Sequence, residues 1–118
     1  MMIQEQRWCK DYLLLIVDEQ GHGSVQVHIP ASSRKRVSIC GDALILLHWV
    51  DPGYRRKGVG KRLIEAAIKE LKGRGLRAVS LKWKEEESAR LYIYNWYRQL
   101  GFTEVRESKG IHLMTKRI

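Results

Sequence analysis

The segment from Val50 to Leu63, VDPGYRRKGVGKRL, constrains this 118-residue chain more than any other. The nearly continuous apolar run Ala43 to Val50 leads into it, and apolar residues at Val59, Leu63, Ile64, Ala67, Ile68 and Leu71 follow at helical spacing. Between these two patterns Pro52, Gly53, Gly58 and Gly60 interrupt any regular element. The chain must therefore pass from a strand, read as buried on both faces, through a tight loop into an amphipathic helix. Five bases (Arg55, Arg56, Lys57, Lys61 and Arg62) and no acid lie between Pro52 and Ile64.

The remaining elements follow from their periods. Asp11 to Glu19 and Ser24 to Ile29 flank Gln20-Gly21-His22-Gly23 and read as an antiparallel hairpin. Pro30 to Ser38, with Arg34-Lys35-Arg36, reads as a solvated basic loop. Ala78 to Trp83 alternates as a short strand. Ala89, Tyr92, Ile93, Trp96, Tyr97 and Leu100 form a second helical stripe, with Glu85 to Glu87 suiting its start and Gly101 its stop. Phe102 to Val105 and Ile111 to Met114 complete a final hairpin. Helices in the order β-β-β-α-β-α-β-β must pack on a mixed sheet, so the expectation is a single α/β layered domain over residues 1–118.

Composition narrows the function classes. Tyr12 to Val17, the longest uninterrupted apolar run near the start, is too short to span a bilayer and no small-residue cleavage site follows it, so no membrane association is expected. Cys9 and Cys40 are too few for a disulfide framework or a four-cysteine zinc site, which leaves a reducing cytoplasm as the expected compartment and no metal site. A formal net charge of +9 calls for an anionic partner, either nucleic acid or a phosphorylated cofactor.

The local cluster of bases favours the cofactor. Unpaired N–H groups at a helix start carry partial positive charge, and glycines let a phosphate approach the backbone. Two familiar phosphate motifs are excluded by counting. Gly53 and Gly58 have the Walker A spacing, but Val59 and Gly60 stand where Lys and Ser or Thr are required. The dinucleotide fingerprint needs a glycine where this chain has Leu63.

The segment resembles the acetyl-CoA loop of the GNAT superfamily of N-acetyltransferases, Val-x-Pro-x-x-Arg/Gln-x-x-Gly-x-Gly/Ala, through Val50, Pro52, Arg55, Gly58 and Gly60. A second family feature, Tyr-x-x-x-Gly-Phe, matches Tyr97, Gly101 and Phe102. The resemblance runs from about Leu13 to the C-terminus and implies the acyl-CoA N-acyltransferase fold, a mixed, largely antiparallel sheet flanked by helices. It also implies acetyl-CoA as the acetyl-donor cosubstrate, with backbone groups of His48, Trp49 and Val50 along its pantetheine arm. The loop Arg56, Lys57, Gly58, Val59, Gly60 and Lys61 would take its pyrophosphate, and Arg55 is also counted among the cofactor-binding residues.

By the same resemblance the reaction is direct attack of an amine on the thioester, with a β-strand amide, that of Val50, polarising the carbonyl. A tyrosine suits the general acid that protonates the departing thiolate. Tyr97 lies at the edge of the helical stripe and has the family spacing to Gly101-Phe102, while Tyr94 is the alternative when positions are counted from Trp83. His48 is the candidate base for the amine. Two departures stand out: the segment before Gly101-Phe102 is about three residues longer than the family pattern, with Glu85-Glu86-Glu87-Ser88 where an asparagine is usual, and only Met1 to Lys10 precedes the first hairpin, where the family has a strand and two helices. The acceptor site is then open to a peptide or protein end, completed by a second subunit in a homodimer, or lost. The last case would leave a CoA-binding regulatory module. A nucleic-acid-binding domain using Arg34-Lys35-Arg36 is the third reading.

Overall fold

The computed structural model of the chain describes residues 1–84 and 90–118. Glu85 to Glu87 and the expected helix start at Ala89 fall outside the described residues. Its elements run β1 (Met2–Trp8), β2 (Asp11–Val17), β3 (Gly23–Ile29), α1 (Ser33–Ile39), β4 (Ala43–Val50), α2 (Val59–Gly73), β5 (Ala78–Lys84), α3 (Arg90–Gln99), β6 (Thr103–Ser108) and β7 (Ile111–Arg117). The strands form one seven-stranded sheet in the order β1-β2-β3-β4-β5-β7-β6. Every neighbouring pair is antiparallel except β4 and β5.

The core lies on one face of the sheet. Leu14 and Ile16 of β2, Val25 and Val27 of β3, Ile45 of β4 and Leu81 of β5 meet Val59, Leu63, Ile64, Ala67 and Leu71 of α2, all nearly or fully buried. Burial of each large aliphatic side chain contributes about 1.5–3 kcal/mol, so this stripe fixes α2 on the sheet. Helix α3 joins the same layer, with Trp96 and Tyr97 packed against the core. At the far end of α2, Arg74 pairs with Glu70 and Glu5 and lies 5.7 Å over the Tyr12 ring, linking the helix to the edge strand β1. No helix among the described residues is long and apolar enough to cross a membrane.

Three expectations change. Met2–Trp8 is a full strand, paired with β2 along its whole length. The basic stretch at Arg34 to Arg36 is helical, not a loop. Ser32 caps it by accepting from the Lys35 N–H at 3.5 Å, and Arg36 is engaged by the Pro30 carbonyl at 2.8 Å and by Asp42 at 3.6 Å. The strand read as buried on both faces is buried on one side only over its second half, where Leu46 and Trp49 are 48% and 45% exposed.

Gly23, at the start of β3, is where helix and sheet come closest. A Cβ there would stand 2.8 Å from the Trp49 carbonyl oxygen and 2.9 Å from Leu63 Cδ1. The carbonyl belongs to the backbone and cannot swing aside. Gly23→Ala is expected to cost about 1–3 kcal/mol, an overpacking penalty. Each kcal/mol lowers the Tm of a domain this size by about 4–8 °C, and a melting curve indistinguishable from the parent would refute the contact.

Candidate active site

The site begins with a break in the sheet. Strands β4 and β5 pair only through Ala43 with Val79, Leu44 with Ser80 and Ile45 with Leu81. Beyond that point the two strands no longer pair with each other, although β4 stays paired with β3 and β5 with β7. The cause lies on the other side of β4, where its ladder with β3 slips: Val27 faces Ile45 and Gln26 faces Leu47, so Leu46 is an extra residue. A β-bulge of this kind bends its strand and ends regular pairing nearby. The result is a cleft of about 580 Å³, within the usual range for small-molecule sites.

One wall is the loop after β4, which is held in place before any ligand arrives. Asp51 accepts from the Gly53 N–H at 3.3 Å and its carbonyl accepts from the Tyr54 N–H at 2.8 Å, winding Pro52–Tyr54 into a 3-10 turn. The Arg55 Nε–H donates to the Val50 carbonyl at 3.2 Å, and Tyr54 stacks on His22 with ring centroids 3.5 Å apart. Arg56 and Gly58 both take positive φ, 64° and 81°, to turn the chain into α2. No side chain caps that helix, and its first internal bond runs from the Arg62 N–H to the Gly58 carbonyl at 3.0 Å. The N–H groups of Val59, Gly60 and Lys61 therefore lack intrahelical acceptors, as the first turn of any helix requires.

Gly60 shows how closely this turn is built. A Cβ there would lie 3.2 Å from His48 Cε1 and 3.4 Å from Trp96 Cη2. The His48 ring stacks on Trp96 at 5.5 Å with its Nε2 buried, and that nitrogen has no hydrogen-bond partner of good geometry among the described residues. Burial pushes the imidazole below its usual 6.5, opposed only in part by the Gly60 backbone, so His48 is neutral at neutral pH.

The opposite wall is α3, closed at its C-terminus by a Schellman motif. The Phe102 N–H donates to the Tyr97 carbonyl at 3.1 Å, the Gly101 N–H donates to the Arg98 carbonyl at 2.9 Å, and Gly101 takes φ 96°. The rings of Tyr97 and Phe102 meet edge to face at 6.1 Å, supplying the hydrophobic contact that accompanies such a cap. The Tyr-x-x-x-Gly-Phe spacing is thus the mark of a helix stop that fixes Tyr97. Burial raises the Tyr97 hydroxyl to about 12.

The structure brings His48, Trp49, Val50, Arg55, Arg56, Gly58, Gly60, Lys61 and Tyr97 into this cleft. Lys57 and Val59 do not line it: Lys57 Nζ lies 5.3 Å over the Tyr54 ring, and the Val59 side chain is in the core. Tyr94 is also outside the lining, its hydroxyl accepting from Arg98 at 3.3 Å. Sequence reasoning missed Trp83, Lys84, Ile93 and Trp96 as cleft residues. Trp83 closes the floor, stacked on His112 at 4.0 Å while His112 is held by Glu104, and its indole N–H donates to Met114 Sδ at 3.2 Å. Its position at the end of β5 was the available signal. Among the described residues no group of three or more His, Cys, Asp or Glu side chains is placed to hold a metal ion.

A family model described as an acetyltransferase (GNAT) domain matches residues 10–104. An uncharacterized N-acetyltransferase of Methanocaldococcus jannaschii is 40% identical over 70 residues, covering 59% of this chain and 30% of the relative. The ribosomal protein bS18-alanine N-acetyltransferase of Escherichia coli is 38% identical over 55 residues, covering 47% of this chain and 35% of the relative. The chain spans about a third of the length of these two curated relatives. Among solved structures, the PaiA N-acetyltransferase from Thermoplasma acidophilum in complex with coenzyme A superposes with a TM-score of 0.68 at 20% identity, covering 92% of this chain and 60% of that one. The chain belongs to the GNAT family of acetyltransferases, whose members use acetyl-CoA.

Proposed function

We propose that this chain binds acetyl-CoA in the cleft between α2 and α3 and transfers its acetyl group to an amine by direct attack. The observation that carries this reading is one arrangement: an uncapped helix start with Gly60 against His48 and Trp96, facing Tyr97 across the gap where β4 and β5 part. The site suits a pyrophosphate because three N–H groups, Arg55, Arg56 and Lys61 converge where glycines leave room. Acetyl-CoA, once bound, supplies the acetyl group as an activated thioester. Backbone groups of His48 and the Val50 amide, on the edge where β4 has no pairing with β5, hydrogen-bond the pantetheine arm, whereas the Trp49 carbonyl faces Gly23 of β3. The Val50 amide on this reading polarises the thioester carbonyl.

Tyr97 then donates its proton to the departing sulfur. Its raised pKa keeps the hydroxyl protonated throughout the neutral range, and a proton carried by a buried group is delivered without competition from water. His48 supports the loop from beneath as a neutral ring. A proton accepted by His48 enters at Nδ1, since Nε2 is sealed against Gly60 and Trp96. The acceptor class best supported is the free amino end of a peptide or protein, because β1 turns directly into β2 and, among the described residues, no helix lies between them. The alanine N-acetyltransferase relative, whose name states a ribosomal-protein substrate, is consistent with that class.

Calorimetry with acetyl-CoA, followed by a thiol-release assay, tests the reading in two stages. Saturable binding is expected, and CoA release is expected with peptides bearing a free N-terminus and not with the same peptides blocked. Failure to bind sinks the whole reading. Binding without release for any amine leaves a cofactor-binding module in place of an enzyme.

A further inference from the structure

We propose that the sheet face turned away from α2 and α3 is a self-association surface on which a second copy of this chain docks. The molecule measures 37 × 35 × 21 Å, and the short dimension is that of a sheet with a single main helical layer. On the other side, among the described residues, only α1 provides cover. Its end is tied to the β7 and β6 side, where Thr115 Oγ1 donates to the Cys40 carbonyl at 3.0 Å and Arg106 donates to the Ser38 carbonyl at 2.8 Å. The part built by β1, β2 and β3 carries no helix among the described residues.

That bare part is uncharged in a chain of net charge +9. From Met2 to Trp8 on β1, Leu13 to Val17 on β2 and Ser24 to His28 on β3, every second residue faces this side in register, and none is Lys, Arg, Asp or Glu. The opposite face of β1 carries Glu5 and Arg7. Charge on this side lies at the rim, where Lys10 lines the groove and Asp11 is held by His28 at 2.8 Å and by Lys35 at 3.6 Å. An anionic partner would select the basic surfaces instead. Two strongly basic copies repel each other least along a face whose strands carry no lysine or arginine, with Lys10 and Lys35 only at its rim.

Shape points the same way. Trp8 stands 67% exposed beside the turn into β2, at the edge of a groove of about 920 Å³ whose lining also includes Leu13, His28, Ala31, Lys35 and Leu46. A projecting ring next to a hollow on one surface is what a two-fold interface requires, since each copy offers its knob to the other's socket. A tryptophan buries roughly 150–250 Å² and is the commonest kind of interface anchor. The broad face leaves room for the roughly 800 Å² per partner of a standard interface. Leu46, the bulge residue, lines the same groove, so the second copy also walls the rear of the gap between β4 and β5. This last consequence rests on the acetyl-transfer reading, whereas the pairing itself does not.

Sedimentation of the full chain over a wide concentration series, without cofactor, tests the pairing. The expected species has twice the 13.8 kDa chain mass. Trp8→Glu and, independently, Gln6→Lys on the same face are expected to raise the dimer dissociation constant roughly thirtyfold or more while keeping the parent circular dichroism. Val37→Glu, at an exposed position on α1, should leave the dimer intact. A parent chain that sediments at the single-chain mass at every concentration overturns the proposal, as does a Trp8→Glu protein that folds and still pairs. Because mass is read without acetyl-CoA, an absence of acetyl transfer does not alter this result.

Discussion

Tyr97→Phe lowers kcat by roughly 10²–10⁴, the usual contribution of a positioned proton donor, and leaves acetyl-CoA affinity unchanged. The substitution removes one oxygen and keeps the ring that meets Phe102 and Trp96, so the helix stop and the cleft wall survive. Tyr94→Phe serves as the control, because its hydroxyl meets Arg98 and not the cleft, and its rate should match the parent. The pH profile adds a second readout. The Tyr97 pKa lies above its ordinary value of 10.0, at about 12, so the proton donor stays loaded as pH rises and its own alkaline limb falls near pH 12. An unchanged kcat for Tyr97→Phe would reduce this residue to a packing role.

Gly60→Leu is expected to weaken acetyl-CoA binding at least about a hundredfold, equivalent to losing two charge-assisted hydrogen bonds at about 1.5–3 kcal/mol each. A Cβ at this position already presses on His48 and Trp96, so the rest of a leucine side chain has only the cleft to enter. Gly60→Ala is the milder variant. Replacing a helical glycine by alanine contributes up to about 1 kcal/mol of helix stability, while the added methyl narrows the approach to the N–H groups. The added Cβ stands 3.2 Å from His48 Cε1 and 3.4 Å from Trp96 Cη2, so those rings must shift to admit it and offset the gain in helix propensity. Calorimetry and melting curves on one preparation read both quantities, and undiminished affinity in Gly60→Leu would remove the α2 start from the cofactor site.

The parts of this fold that were legible in the sequence are those with one wet and one dry side. Helix α2 carries Leu63, Ile64, Ala67 and Leu71 on one stripe, and the loop before it announces itself through Pro52, Gly58 and Gly60. Strand β1 escaped because all of its residues are exposed, so MIQEQRW has no alternation of apolar and polar to reveal it. Helix α1 escaped because its seven residues bury none of their side chains. The opening between β4 and β5 escaped for a further reason: an uninterrupted apolar run such as ALILLHWV looks the same with or without a bulge. For the candidate site, the phosphate loop was legible because glycine and proline act locally. Trp83, Lys84 and Trp96 were not, because their place in the cleft depends on where distant strands stop pairing.

The extra residue at Leu46 also sets the arithmetic of the strand that follows it. Side chains alternate along a strand, so the register on either side of the bulge decides which residues look inward. With Leu46 present, Ile45 pairs with Val27 and His48 with Val25, which places both on the helix-bearing side. Deleting the Leu46 codon would leave His48 opposite Val25 but remove the extra residue, and with it the bend that ends pairing with β5, while leaving composition and hydropathy almost untouched. Ile45 and Leu46 should therefore accept exchange for another apolar side chain of similar volume far more readily than the loss of a residue.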